Sequence, residues 1–182
     1  PTSLQKRETF SKKNNLPLGG FRICTIGRIV KGKGFGDLLF AFYKMKNKSP
    51  LDRLIIIGGT IDQDIQPAYE EFLRQVRDLG LENQVLITGL TEHVEKYLNI
   101  CDLFVLPSYR EGVPRSLLEA MATALPCLAT NIRGCREILR PEIDGYLFTP
   151  KDIEHLSSLL EKMKELPLEK RHHMGKSARE HI

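Results

Sequence analysis

Short, nearly continuous apolar runs alternate with helical patterns along most of the chain. The runs lie at residues 21–29, 52–57, 84–88, 102–106, 126–130 and 145–148 and consist largely of Ile, Val, Leu and Phe. Such runs read as strands covered on both faces, since a strand with one wet face would alternate. Helical patterns fall between them at 36–46, 67–79, 92–100 and 115–124. A short helix is expected at 135–139, a longer one at 152–166, and another after Pro167. Gly80 and Pro50 stand where helices stop. Six strands alternating with helices predict an α/β protein with a doubly wound, Rossmann-like, six-stranded parallel sheet. Right-handed crossovers give the strand order 3-2-1-4-5-6, with the switch point between strands 1 and 4. Ligands of such sheets bind beyond the carboxyl ends of the strands at that point. Two loops therefore matter most: "GRIVKGKGFG" after strand 1 and "PSYREGVPRS" after strand 4.

Outside this pattern, residues 1–20 are polar and basic, close with "LPLGG" and read as a linker. Residues 151–182 read as C-terminal helices. Leu156, Leu159, Leu160 and Met163 form an apolar stripe at helical spacing, which implies packing rather than a membrane anchor. A length of 182 residues suffices for one well-buried domain but not two. The net charge of +4 permits an anionic ligand or a nearby membrane surface. No long basic run is present, so nucleic acid is not an expected partner. Cys24, Cys101, Cys127 and Cys135 show no metal-ligand spacing and read as buried thiols. The five histidines show none either. No apolar run is long enough to span a bilayer. The chain starts at Pro1 and stops inside a helical pattern, and a piece of a longer protein is expected.

The first loop contains Gly27-Arg-Ile-Val-Lys-Gly32-Lys33, the G-x-x-x-x-G-K of a P-loop. A P-loop needs Ser or Thr next, to hold magnesium, and Gly34 cannot supply a hydroxyl. The apolar strands end "LIIIGG" and "LFVLPS" and offer no metal-binding Asp. Gly32, Gly34 and Gly36 also miss the dinucleotide spacing G-x-G-x-x-G. What remains is a pair of cations, Arg28 and Lys33, at the mouth of strand 1. Arg can grip two phosphate oxygens and Lys adds a point charge, so together they can neutralise a diphosphate without metal. The alternative is a solvated loop of a basic protein.

In the second loop, Glu111 and Glu119 stand eight residues apart, and Pro114 suits the first turn of a helix. That helix would aim its free amides into the cleft. The amides of Gly112, Val113, Arg115 and Ser116 are candidates to cradle phosphate. Glu119 could accept hydrogen bonds from the vicinal hydroxyls of a ribose, and Glu111 from those of a sugar. Alone, each glutamate would more simply be a dipole partner or a solvated helix residue; the Arg/Lys loop opposite favours a site.

"GR-x4-KG", "IIIGG", "VLITGL", "LFVLPSYREGVPRSLLEAMATALP" and "GCREIL…DGYLFTP" together resemble the nucleotide-sugar-binding domain of family 4 retaining glycosyltransferases of the GT-B fold. The likeness runs in order from residue 21 to about 150. It implies that Arg28 and Lys33 hold the donor diphosphate, beginning at Gly27. It further implies that Glu111 contacts the donor sugar, that Glu119 binds the ribose, and that Gly89 and Leu90 border the base. No metal or other cofactor is implied. Arg133-Gly134-Cys135-Arg136-Glu137 departs from the family's usual two glycines before x-x-Glu, which leaves the role of this loop open. The implied activity is sugar transfer with retention, from a nucleotide-diphosphate sugar such as a UDP-sugar, in bacterial polysaccharide, capsule or lipid-linked glycan synthesis. The implied partners are the donor and a glycan or lipid-linked acceptor, the latter held by an N-terminal domain outside these 182 residues. A cytoplasmic location with peripheral contact at the inner membrane face goes with that reading. The residues leave uracil, guanine and adenine open. A nucleotide-sugar epimerase of the same fold, a non-catalytic sensor of nucleotide sugars, and a hydrolase using Glu111 and Glu119 as an acid/base pair remain as alternatives.

Overall fold

The structure is a computed structural model and describes residues 4–59 and 67–182. Six strands form one parallel sheet: β1 (Arg22–Arg28), β2 (Arg53–Gly59), β3 (Val85–Ile87), β4 (Leu103–Leu106), β5 (Cys127–Thr130) and β6 (Gly145–Phe148). Their spatial order is β3-β2-β1-β4-β5-β6, with the reversal between β1 and β4 as the alternating pattern requires. Strand bounds differ from the expected ones by one or two residues, chiefly where β2 runs on to Gly59. Successive residues face opposite layers. Ile23, Leu54, Ile56 and Leu128 point to one layer, and Cys24, Ile55, Ile57 and Ala129 to the other.

Helices α2 (Phe35–Lys44), α3 (Pro67–Asp78) and α7 (Ile153–Glu165) cover the first layer. The predicted stripe of α7, Leu156, Leu159, Leu160 and Met163, is buried against it. Helices α1 (Leu4–Lys13), α4 (Val94–Leu98), α5 (Arg115–Ala122) and α6 (Arg133–Arg136) cover the second. Helix α8 (Leu168–His181) serves both, giving Met174 to one layer and Ala178 to the other. Gly80 ends α3 in the left-handed region, at φ 64°. Its amide donates to Arg77 and that of Leu81 to Val76, so the last carbonyls of α3 are satisfied.

The largest difference from the sequence expectation is at the start of the chain. Residues 1–20, read as a linker, contain α1, and that helix is packed on the domain. The Phe10 ring meets Tyr97 edge-on at 4.9 Å between centroids. The Tyr97 hydroxyl donates to Asn14 at 2.9 Å. The guanidinium of Arg22 is buried under α1 and donates to Ser11 at 2.9 Å and to the Pro17 carbonyl at 2.7 Å. Only scattered positions touch the body, so α1 carries no apolar stripe by which to be recognised.

Candidate functional site

β1 and β4 end side by side, and the loops that leave them are strapped together. Gly34 lies at φ 68° as the N-cap of α2. A Cβ built there would stand 2.0 Å from the Pro107 carbonyl oxygen. That approach requires glycine at the position where a P-loop would carry its hydroxyl. One residue pair farther along, the Tyr109 amide donates to the Gly32 carbonyl at 2.9 Å. The Tyr109 hydroxyl then donates to the Asp37 carboxylate in the first turn of α2, at 2.7 Å. Burial, and after it this bond to Asp37, pushes the Tyr109 hydroxyl up to about 12, so it remains a donor at neutral pH.

Across this strap, Lys33 Nζ meets Glu111 Oε1 at 2.7 Å. Their side chains are 38% and 16% exposed, so the pair is open enough to exchange partners yet partly shielded from water. Arg28 closes β1 beside them and is exposed. Among the described residues it has no carboxylate within ion-pair distance. Gly27 lies at φ 143°, and its carbonyl is so close to β2 that a Cβ at Gly58 would come within 2.7 Å.

A third segment supports the second loop from below. A Cβ at Gly134 would lie 2.3 Å from the Gly112 carbonyl oxygen and 2.8 Å from that of Glu111. The Thr130 hydroxyl donates to the Ser108 carbonyl at 2.5 Å. Cys135 is fully buried beside them. Burial raises its thiol to about 11, Thr130 works against that rise, and the Glu111 charge adds to it. The loop at 133–137, whose role the sequence left open, is thus the backing of Glu111 and Gly112.

Helix α5 starts at Arg115 with Pro114 as its N-cap, one position before the first turn where the sequence reading put it. The Arg115 amide turns back to the Val113 carbonyl at 3.0 Å, so it is already occupied as a candidate phosphate donor. Gly112 and Val113 are exposed at the mouth, and Ser116 is half-buried. Glu119 sits one turn into α5, exposed, and makes no ion pair among the described residues. Leu90 is 83% exposed beyond β3, two strands from β1. The structure therefore brings Gly27, Arg28, Lys33, Glu111, Gly112 and Val113 to one end of the sheet. Glu119 is exposed within α5, and Leu90 follows the edge strand β3.

Asp37, Thr130, Gly134 and Cys135 were not among the expected site residues. The bonded partners of Asp37 and Thr130 lie 72 and 22 residues away in sequence, a separation that no local pattern reports. A cavity of about 580 Å³ adjoins the strap on the α2/α3 side, between Val30, Phe35, Phe72 and Tyr109. Among the described residues, no three His, Cys, Asp or Glu side chains converge as metal ligands.

The family model described as glycosyl transferases group 1 matches residues 6–181. A UDP-Gal:α-D-GlcNAc-diphosphoundecaprenol α-1,3-galactosyltransferase of Escherichia coli is 29% identical over 163 residues, covering 87% of this chain and 40% of that protein. An N-acetyl-α-D-glucosaminyl L-malate synthase of Bacillus anthracis is 29% identical over 182 residues, covering 100% of this chain and 44% of its own. The chain thus spans less than half the length of these curated relatives. In fold it is similar to Anabaena Alr3699/HepE, solved in complex with UDP-glucose, at a TM-score of 0.89 and 23% identity, over 98% of this chain and 48% of that one. It is also similar to the C-terminal domain of the group 1 glycosyl transferase LpcC of Francisella tularensis. There the TM-score is 0.83 at 24% identity, over 98% of this chain and 91% of that one. A match across nearly its whole length, on the sheet order and loops described above, places this chain in the group 1 family of glycosyl transferases.

Proposed function

We propose that this chain is the donor-binding half of a retaining glycosyltransferase that takes a UDP-sugar and works without metal. The observation that carries the reading is the Lys33–Glu111 pair, held at 2.7 Å between the two loops at the switch point. Donor entry would exchange that pair. Lys33 would turn to the diphosphate beside Arg28, and Glu111 would be released to the hydroxyls of the sugar. As the bond from sugar to phosphate breaks, negative charge grows on the nucleoside diphosphate. Two fixed cations and the exposed amides of Gly112 and Val113 would stabilise it where it develops. The sugar would pass through an oxocarbenium-like state, and the acceptor hydroxyl would attack from the face the diphosphate leaves and give its proton to the departing diphosphate oxygen. Glu119 would accept from the ribose hydroxyls.

The E. coli relative is named for a diphosphoundecaprenol-linked acceptor. An acceptor of that kind, a glycan on a lipid diphosphate at the inner membrane face, fits a cytoplasmic enzyme making surface polysaccharide. The acceptor would be held by a domain outside these residues, so this chain alone should bind donor and transfer little.

Calorimetric titration with UDP, GDP and ADP in the presence of a chelator tests the proposal. UDP should bind, and Arg28→Ala and Glu119→Ala should each weaken it by roughly tenfold, the worth of a charge-assisted bond. Failure of all three nucleotides to bind the full-length protein would sink the reading. The anomeric configuration of the product, read by NMR, tests retention separately.

A further inference from the structure

The end of the sheet opposite the donor loops holds a cavity of about 660 Å³ between α1, α8 and the loops that precede β4 and β5. Its size is that of a small-ligand site. Its floor is built around one carboxylate. Asp102 accepts from the Arg22 amide at 2.9 Å and lies 3.9 Å from the Arg7 guanidinium. Burial raises the Asp102 carboxyl above the usual carboxylate range, and the Arg22 amide and the charges of Arg7, Arg171 and Arg22 work against that rise. Arg171 is locked in place. Its Nη1 donates to the carbonyls of Met163, Lys164 and Leu166, at 3.2, 3.0 and 2.6 Å, and its guanidinium lies 5.2 Å from the centre of the Phe21 ring.

The rim adds Lys176, Arg179 and Glu180 from α8, with His172. Glu180 is 3.6 Å from Lys176, and Arg179 makes no ion pair among the described residues. The lining carries four cations, Arg7, Arg171, Lys176 and Arg179, and two carboxylates, Asp102 and Glu180. The walls are apolar: Leu98, Leu125, Pro126 and, at the rim, Leu168, which is 55% exposed.

We propose that this cavity is a second binding site, for a phosphate-bearing amphiphile. The phosphate lies among Arg7, Lys176 and Arg179, and the apolar portion against Leu125 and Leu168. The excess of cations over carboxylates in the lining supplies the attraction. The ligand is either an anionic lipid headgroup or a soluble phosphate ester, since the chemistry at the cavity is the same for both. The site is separate from the donor loops and does not depend on the function proposed for them.

Two probes distinguish the sources. Hexyl phosphate is titrated calorimetrically. Vesicles of phosphatidylglycerol mixed with phosphatidylcholine are used in co-sedimentation, with pure phosphatidylcholine as the control. The full-length protein is compared with its Lys176→Glu/Arg179→Glu and Lys33→Ala variants. Both α8 positions are exposed, and circular dichroism checks the fold. Binding of hexyl phosphate alone assigns a soluble ester, and binding of the acidic vesicles assigns a headgroup. In either case the charge reversal should lower affinity by at least ~10-fold and leave UDP binding unchanged. The proposal is overturned if wild-type protein binds neither probe below ~1 mM. It is overturned equally if the charge reversal has no effect, or if binding is lost in Lys33→Ala instead, which would put the ligand at the donor loops.

Discussion

At the residue scale, two glycines carry the geometry of the mouth. Gly34 is confined twice over, by φ 68° and by the Pro107 carbonyl 2.0 Å from where a Cβ would stand. Gly34→Ala should cost about 3 kcal/mol in urea unfolding, the upper range for a strained backbone position. A loss below about 0.5 kcal/mol would mean that the strap between the two loops yields easily. Gly134 backs the Glu111–Gly112 backbone in the same way. Gly134→Ala should displace the Glu111–Gly112 backbone while sparing Arg28. Affinity for a UDP-sugar should then drop by ~10-fold and affinity for UDP by less, since Gly112 offers one amide among several phosphate partners; calorimetry with both ligands reads the difference. Equal losses for both would show that Gly134 maintains the fold rather than the sugar end of the site. The first glycine was visible in the sequence as the residue that breaks the P-loop. The second was visible only as an unassigned loop, because the surface it meets lies 22 residues away in the chain.

At the element scale, α7 is tied to the start of β2 by a buried acid. Asp52 is 1% exposed in its side chain and pairs with Lys164 at 2.6 Å. It also accepts from the amides of Phe21 and Ser49, each at 2.8 Å. This one carboxylate joins the entry to β1, the turn before β2 and the last turns of α7. Asp52→Ala leaves two amides and a mostly buried ammonium without their acceptor. It should cost about 3 kcal/mol or more by denaturant unfolding, and Lys164→Met, which leaves the carboxylate its two amide donors, should cost less. A double-mutant cycle measures how much of the loss belongs to the pair. The apolar stripe of α7 was legible from its spacing; the anchor was not, because Asp52 reads as an ordinary turn residue before a strand. Helix α1 shows the same limit, since its hold on the domain rests on long-range bonds to Arg22 and Tyr97 rather than on an amphipathic pattern.

Over the whole molecule, burial controls the thiols. Cys24, Cys101, Cys127 and Cys135 are all buried and unpaired. Burial raises the thiols of Cys24 and Cys127, and Cys135 is pushed up to about 11. Native protein at pH 8 should react slowly with a thiol-specific chromogenic disulfide, while unfolded protein should show four thiols at once. Rapid reaction of the native form would contradict the buried placement. Each raised thiol also links stability to pH. Above the unfolded value of about 8.5, the unfolded chain has lost the proton that the folded chain keeps. Stability should therefore fall as pH rises from that value toward about 11 for Cys135. Cys135→Ala should flatten part of that slope.

Hydrophobic patterning and the handedness of crossovers were enough to place six strands, their order and the switch point, because these follow from local periodicity and from a rule that holds for any parallel sheet. The Arg/Lys loop and the two glutamates stood out for the same reason: their positions relative to the strands can be read along the chain. Their meeting could not be. Lys33 and Glu111 are 78 residues apart, and Tyr109 and Asp37 are 72. Those pairs exist because parallel register brings the ends of β1, β4 and β5 to one side, where glycines let the loops touch. The cationic cavity at the other end is likewise a product of packing. Arg7, Asp102 and Arg171 lie far apart along the chain, and only the docking of α1 and α8 on the sheet brings them to one cavity.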